Sequence, residues 1–179
     1  VTPAAQRERF ELLYRELYGP ISGYVLRRSE SAEDAAEAIA ETFVVLWRRL
    51  DACPAGEEAR PWLYGVARRV LANQRRGERR RSALAERLTS ELDPAEVSVP
   101  AEADGRVARA FAALSESDRE VLALLAWEEL TREELAVALG VSRPVARLRL
   151  HRARRRFEAA LAAPPARVRL SEGGEHHGA

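Results

Sequence analysis

Lysine and methionine are absent from this 179-residue chain, cysteine occurs once, and aromatic residues make up only 6% of it. Each shortage excludes something. A lone Cys53 permits no internal disulfide and no cysteine-based zinc site, which fits a reducing compartment. No apolar run approaches the length of a membrane span and none near the start has the form of a signal peptide, so the protein is expected to be cytoplasmic. The three histidines, His151, His176 and His177, have no metal-ligand spacing with acids, and no glycine-rich phosphate loop or nucleophile motif occurs. No metal, no cofactor and no enzymatic activity is therefore expected.

The lack of lysine leaves arginine to supply all 29 basic residues against 28 acids. The net charge of +1 conceals a segregation. Residues 1–58 carry −4, residues 59–87 carry +7, residues 88–118 carry −5, and residues 143–158 hold seven arginines against one acid. Hydrophobic content of 46% is enough for real cores, in one domain or two small helical ones.

Apolar periodicity predicts helices throughout. Phe10, Leu13, Leu17, Ile21 and Tyr24 form a stripe over residues 4–28, with a kink expected at Gly19-Pro20. Ser31 should cap a second helix running to Leu50, with Glu33 and Asp34 where the helix dipole favours acids and Ile39, Phe43, Leu46, Trp47 and Leu50 facing inward. Its outer side carries Asp34, Glu37 and Glu41, which by themselves fit a solvated surface. Residues 51–59, with proline and glycine, read as a loop.

A third helix opens near Pro61, and its arginines, among them Arg68, Arg69, Arg75, Arg76 and Arg80, build a basic side with Trp62 and Tyr64 nearby. Rings that stack bases beside guanidinium groups that hold phosphates suit a single nucleic-acid strand, although both rings equally fit a core. Residues 82–105 lose periodicity and read as a flexible linker with one helical piece over 84–92. Ser115 and Asp118 should cap a helix carrying Val121, Leu122, Leu124 and Leu125.

The stretch from Leu130 to Phe157 has helix-turn-helix spacing. Thr131 and Glu134 form a capping box, Gly140 can close the first helix in the left-handed conformation, and Ser142 should cap a second with Pro144 in its first turn. Ala146, Leu150, Ala153, Phe157 and Leu161 form one inward stripe, which leaves Pro144, Val145, Leu148, His151, Arg152 and Arg155 on the opposite side. Arginine forks match guanine edges and phosphates, so this helix is expected in a DNA major groove. The exposed Leu148 fits either a thymine methyl or a contact with another domain. Residues 163–179 read as a disordered tail.

Three runs of this sequence resemble the extracytoplasmic-function (ECF) group of bacterial sigma factors of the sigma-70 family. Asp34-Ala-Ala-Glu37-Ala-Ile-Ala40-Glu41-Thr42-Phe43 is similar to an acidic family motif in which glutamine is usual at Ala40. Trp62-Leu-Tyr64-Gly-Val-Ala-Arg68-Arg69 is similar to a second, in which asparagine is common at Arg69, and Glu134-Leu-Ala-Val-Ala-Leu-Gly140-Val-Ser142 to a third.

The resemblance implies an all-α fold of two small helical domains, residues 4–81 and 106–162, joined by a flexible linker over 82–105. Its implied function is promoter-specific transcription initiation. Asp34, Glu37, Glu41 and Thr42 would bind the clamp helices in the largest subunit of core RNA polymerase. The loop with Asp51 and Cys53 would receive a flipped minus-10 base, and Trp62, Tyr64, Arg68, Arg69, Asn73, Arg75 and Arg76 would hold the melted strand. The second domain would touch the polymerase flap and read minus-35 promoter DNA through Thr131, Ser142, Arg143, Pro144, Val145, Arg147, Leu148, His151, Arg152 and Arg155. Regulation by a separate anti-sigma protein is implied as well. The competing reading is a stand-alone dimeric helix-turn-helix regulator that binds operators and never meets the polymerase, which explains residues 131–157 but leaves the first two motifs idle.

Overall fold

The computed structural model describes residues 2–86 and 105–163, and these hold seven α-helices and two short 3₁₀ turns with no strand. The helices are α1 (Pro3–Leu26), α2 (Ala32–Arg48), α3 (Ala59–Glu86), α4 (Gly105–Ala112), α5 (Glu116–Ala126), α6 (Arg132–Leu139) and α7 (Arg143–Ala162). Local chemistry starts most of them. Thr2, Ser31, Ser115 and Thr131 each accept a backbone N–H of the first turn with their side-chain oxygen, the bond an N-cap supplies.

Helix α1 runs through Gly19 and Pro20 as one element, with Leu17 and Ile21, on either side of the proline, both buried against the same core. Two helix ends and one loop depart from the expectation. Helix α2 ends at Arg48, and the expected loop contains 3₁₀ turns at Leu50–Ala52 and Gly56–Glu58. Helix α3 runs on through Ser82 to Glu86, past the point where a linker should begin. The rest of the helical piece expected over 84–92, like residues 164–179 of the tail, lies outside the described residues.

Helices α1, α2 and α3 pack on one another, and α4, α5 and α6 gather around α7 in a second group. The two groups do not stay apart. Leu17, Ile21, Leu46, Leu63 and Val66 of the first belong to one continuous apolar core with Val121, Leu124, Leu135, Leu139 and Leu150 of the second. The close crossing of α3 and α6 depends on Gly65, where a Cβ would lie 3.0 Å from the carbonyl oxygen of Ala138. A smaller cluster of Phe111, Leu114 and Ala123, with Phe157 against it, fastens α4 and α5 to α7.

Polar contacts cross the same boundary. Arg28 reaches Glu120 at 2.9 Å and Glu128 at 3.2 Å, Arg27 reaches Glu128 at 2.7 Å, and Arg60 donates to the Glu128 carbonyl. Glu128 is carried inward by a turn in which Glu129 takes φ 53, a left-handed conformation costly for a non-glycine residue. Burial pushes the Tyr24 phenol well above its ordinary pKa, and the charge of Glu120, 2.6 Å from its hydroxyl, pushes the same way.

Candidate nucleic-acid interface

The corner between α6 and α7 is built by short-range bonds. Thr131 Oγ1 accepts the Glu134 N–H at 3.2 Å while Glu134 Oε2 accepts the Thr131 N–H at 2.7 Å, which satisfies two amides that the start of a helix would leave open. Gly140, at φ 64, ends α6 in the left-handed conformation, and the Val141 N–H reaches back to the Ala136 carbonyl. Ser142 occupies the cap position of α7 without a side-chain cap bond. Pro144 at the second helical position has no N–H to offer it. Ser142 is exposed beside Arg143.

Helix α7 divides as its periodicity requires. Ala146, Leu150 and Ala153 are buried, whereas Arg143, Pro144, Val145, Arg147, Leu148, His151, Arg152 and Arg155 are exposed. Val145 and Leu148, at 40% and 47% exposure, place apolar side chains on the surface between guanidinium groups. Arg156 turns away from that set to bind Asp118 at 2.7 Å. Burial alone would raise the Asp118 pKa, but hydrogen bonds from Arg156 and Ser115 and the charge of Arg156 outweigh it and hold the carboxyl below its ordinary value.

Helix α3 shows a second exposed stripe. Arg69, Asn73, Arg76 and Arg80 recur at spacings of four, three and four residues, and all four are exposed. At roughly 100° per residue Trp62 falls on the same line, half-buried against the core. Arg80, an arginine of the expected basic side to which the resemblance assigns no strand-holding role of its own, extends the stripe by four residues from Arg76. Three expected members leave the stripe. Tyr64 is a core residue, 1% exposed, with its ring 5.2 Å from that of Tyr24. Arg68 donates to the Leu139 carbonyl of α6 at 3.0 Å, and Arg75 binds Glu116 and the Arg28 carbonyl. The arginines on this flank of α3 thus meet the second helical group.

The chain after α2 forms a short exposed arc. Asp51 is exposed, but the expected Cys53 thiol is buried, and burial raises its pKa while the charge of Arg9 lowers it. No group of three His, Cys, Asp or Glu side chains able to hold a metal occurs among the described residues.

Two family models match this chain. The sigma-70 region 2 model matches residues 13–81, which run from α1 into α3, and the sigma-70 region 4 model matches residues 104–157, which run from α4 into α7. The chain belongs to the sigma-70 family of sigma factors. Among its curated relatives is the ECF RNA polymerase sigma factor SigL of Mycobacterium tuberculosis, 28% identical over 156 residues that make up 83% of this chain and 86% of SigL. The RNA polymerase sigma factor YlaC of Bacillus subtilis is 28% identical over 154 residues, 83% of this chain and 89% of YlaC. Its fold is similar to that of the sigma factor RpoE in complex with the anti-sigma factor NepR from Bartonella quintana, with a TM-score of 0.62 and 19% identity over 85% of this chain and 96% of RpoE. CnrH in complex with the cytosolic domain of CnrY gives a TM-score of 0.57 and 24% identity over 85% of this chain and 86% of CnrH.

This ECF-type sigma factor directs promoter-specific transcription initiation, and a stand-alone operator-binding regulator would leave its region 2 unexplained. On α2 of the sigma factor Glu33, Glu37 and Glu41 are exposed at spacings of four, while Asp34 is half-buried and accepts a bond from Ser31. Thr42, expected among the docking residues, is fully buried with its hydroxyl donating to the Ala38 carbonyl at 2.7 Å. Trp47, expected inside, is 41% exposed and stacks edge-on against Phe10. Among the described residues of the sigma factor no helix is long and apolar enough to cross a membrane.

Proposed function

We propose that this sigma factor docks on the clamp helices of core RNA polymerase through the exposed acids Glu37 and Glu41, with Asp34 at the start of the same helix. Acids at i and i+4 on an open face offer paired charge to a basic partner and cost little stability there. Asp51 and the arc after it receive a flipped base of the minus-10 element. Trp62, Arg69, Asn73 and Arg76 hold the non-template strand, the ring by stacking and the arginines by charge. Helix α7 enters the major groove of the minus-35 element, where Val145 and Leu148 pack on thymine methyls, Arg143 or Arg147 takes a guanine edge, and Arg152 and Arg155 take phosphates. Thr131, Ser142, Pro144 and His151 border that face.

The observation that carries this reading is the α7 surface, where Leu148, at 47% exposure, stands among arginines while Ala146, Leu150 and Ala153 fill the core beneath. A merely solvated basic helix gains nothing from an exposed leucine. The two halves read their elements separately, joined by the segment between α3 and α4, and the region 4 half also touches the polymerase flap. Arg68 and Arg75 join the strand-binding face once the contacts with α6 and Glu116 are released. The protein needs no cofactor for this, is not an enzyme, and works in the cytoplasm. The complex of the sigma factor RpoE with the anti-sigma factor NepR supports an anti-sigma protein as its regulator.

Run-off transcription with purified core polymerase tests the reading. The expected result is transcripts from promoter templates only when the protein and core are both present, with weak duplex binding by the protein alone. Tight operator binding by the free protein, with no transcript when core is added, would sink it.

A further inference from the structure

We propose that Arg9 is a positioning residue for the minus-10 loop, setting the conformation in which residues 54–58 meet the promoter. This rests on the reading of that loop as the receiver of the flipped base. Arg9 lies in the first half of α1, outside both the α3 stripe and the α7 face. Its guanidinium donates from Nη1 to the Leu50 carbonyl at 3.1 Å, and from Nη2 to the carbonyls of Cys53 at 2.6 Å and Pro54 at 3.2 Å. One planar cation therefore gathers carbonyls from residues 41 to 45 positions downstream.

These carbonyls come at the end of α2 and its 3₁₀ continuation, where the helix dipole is negative; Leu50 also accepts the Cys53 N–H and Pro54 the Cys53 thiol, while the helical amides that would serve the rest run out. A cation at this point answers both needs. The arc beyond it is anchored at both ends, and its 3₁₀ turn Gly56–Glu58 lies against α3. On the far side Ala59 and Pro61 are buried, an apolar anchor made within the start of α3 itself. On the near side Cys53 is buried, but its carbonyl and that of Pro54 point to Arg9, so this anchor depends on a side chain from another helix. Between the two, Ala55, Gly56, Glu57 and Glu58 are exposed, and Gly56 turns the chain at φ 63.

Without the guanidinium the near anchor opens and the arc no longer holds one shape. A base received in a pocket of backbone and short side chains is then read less selectively, because discrimination depends on where the partners already stand. Lysine carries the charge but lacks the planar fork, so it can serve only part of the carbonyl set.

The test uses holoenzymes of core polymerase with the full chain as wild type, Arg9→Ala, Arg9→Lys and Asp51→Ala. Each transcribes two template libraries, one randomised in the minus-10 element and one in the minus-35 element, and the transcribed templates are sequenced. For Arg9→Ala the expected result is loss of base preference at the minus-10 element, with minus-35 preference, helical circular dichroism and the amount of core bound unchanged. Arg9→Lys should fall between it and wild type. Lower output with both preferences intact would make Arg9 merely structural and overturn the proposal, and so would full retention of preference in Arg9→Lys should Arg9→Ala fail to fold. If Asp51→Ala alters minus-10 preference and the Arg9 variants do not, the proposal fails while the reading of the loop stands. If none of the three alters it, the reading of the loop fails too.

Discussion

Arg28, in the turn after α1, and Glu120 of α5 stand 92 residues apart in the chain and meet at 2.9 Å, the Arg28 guanidinium lying 3.8 Å above the Tyr24 ring. The same guanidinium bonds Glu128, whose side chain is 2% exposed, so an arginine from region 2 neutralises two acids from region 4 inside the molecule. The acidic and basic islands that alternate along the chain partly cancel elsewhere, where Arg75 meets Glu116 and Arg156 meets Asp118.

Removing that arginine should part the two halves. In Arg28→Ala the Glu128 carboxylate keeps Arg27 but loses its buried partner, and Glu120 keeps only the Tyr24 hydroxyl. Breaking a buried pair costs about 3–5 kcal/mol. Small-angle scattering should show a larger radius of gyration than wild type, while circular dichroism shows that the helices persist. An unchanged radius would mean that the apolar contact around Gly65 and Ala138 holds the halves by itself.

The exposed and engaged arginines of α3 should behave differently. Arg76→Ala touches only the open stripe, so promoter melting, read by permanganate reactivity, should fall while closed complexes and thermal stability stay as in wild type. Arg75→Ala also breaks contacts with Glu116 and the Arg28 carbonyl, so it should loosen the packed arrangement as well as impair melting. Trp62→Ala should cost about 1–3 kcal/mol of strand binding if its ring stacks one base, with some loss of core packing besides.

On α7, Leu148→Ala and Arg155→Ala separate base reading from phosphate binding. Arg155→Ala should weaken minus-35 binding about equally on all sequences and lower the salt slope by about one unit. Leu148→Ala should relax preference at one base pair and leave that slope alone. Salt titrations and a single-base panel on both holoenzymes decide it, and identical profiles would mean that α7 lies in the groove in another orientation.

The Asp118–Arg156 pair sets an acid limit. The Asp118 carboxyl is held below its unfolded value of about 3.9, so its contribution is fully present above that value and disappears as pH falls through the lower folded one. Because Arg156 is 61% exposed, the contribution is no more than about 1 kcal/mol. Thermal melts from pH 6 downward should show wild type losing more of its midpoint than Asp118→Asn, and parallel curves would assign the acid sensitivity to other groups.

What the sequence by itself determined lies within a few residues of each signal. The caps at Ser31, Ser115 and Thr131, the left-handed Gly140 and the inward stripe of Ala146, Leu150 and Ala153 all stand where local chemistry puts them, because each bond or face involves residues no more than a turn or two away. Tertiary structure decided the rest. Periodicity shows which side of α3 is apolar, but not that α6 covers the flank holding Arg68 or that Glu116 meets Arg75. The motif positions of Thr42 and Tyr64, and the loop position of Cys53, mark them for contact with a partner, yet their side chains are buried. Arg9 carries no motif at all, since its three carbonyl partners lie more than forty residues downstream and sequence spacing records no such distance. A local bond is written in the order of the residues that make it, whereas a long-range one exists only after packing has chosen which surfaces touch.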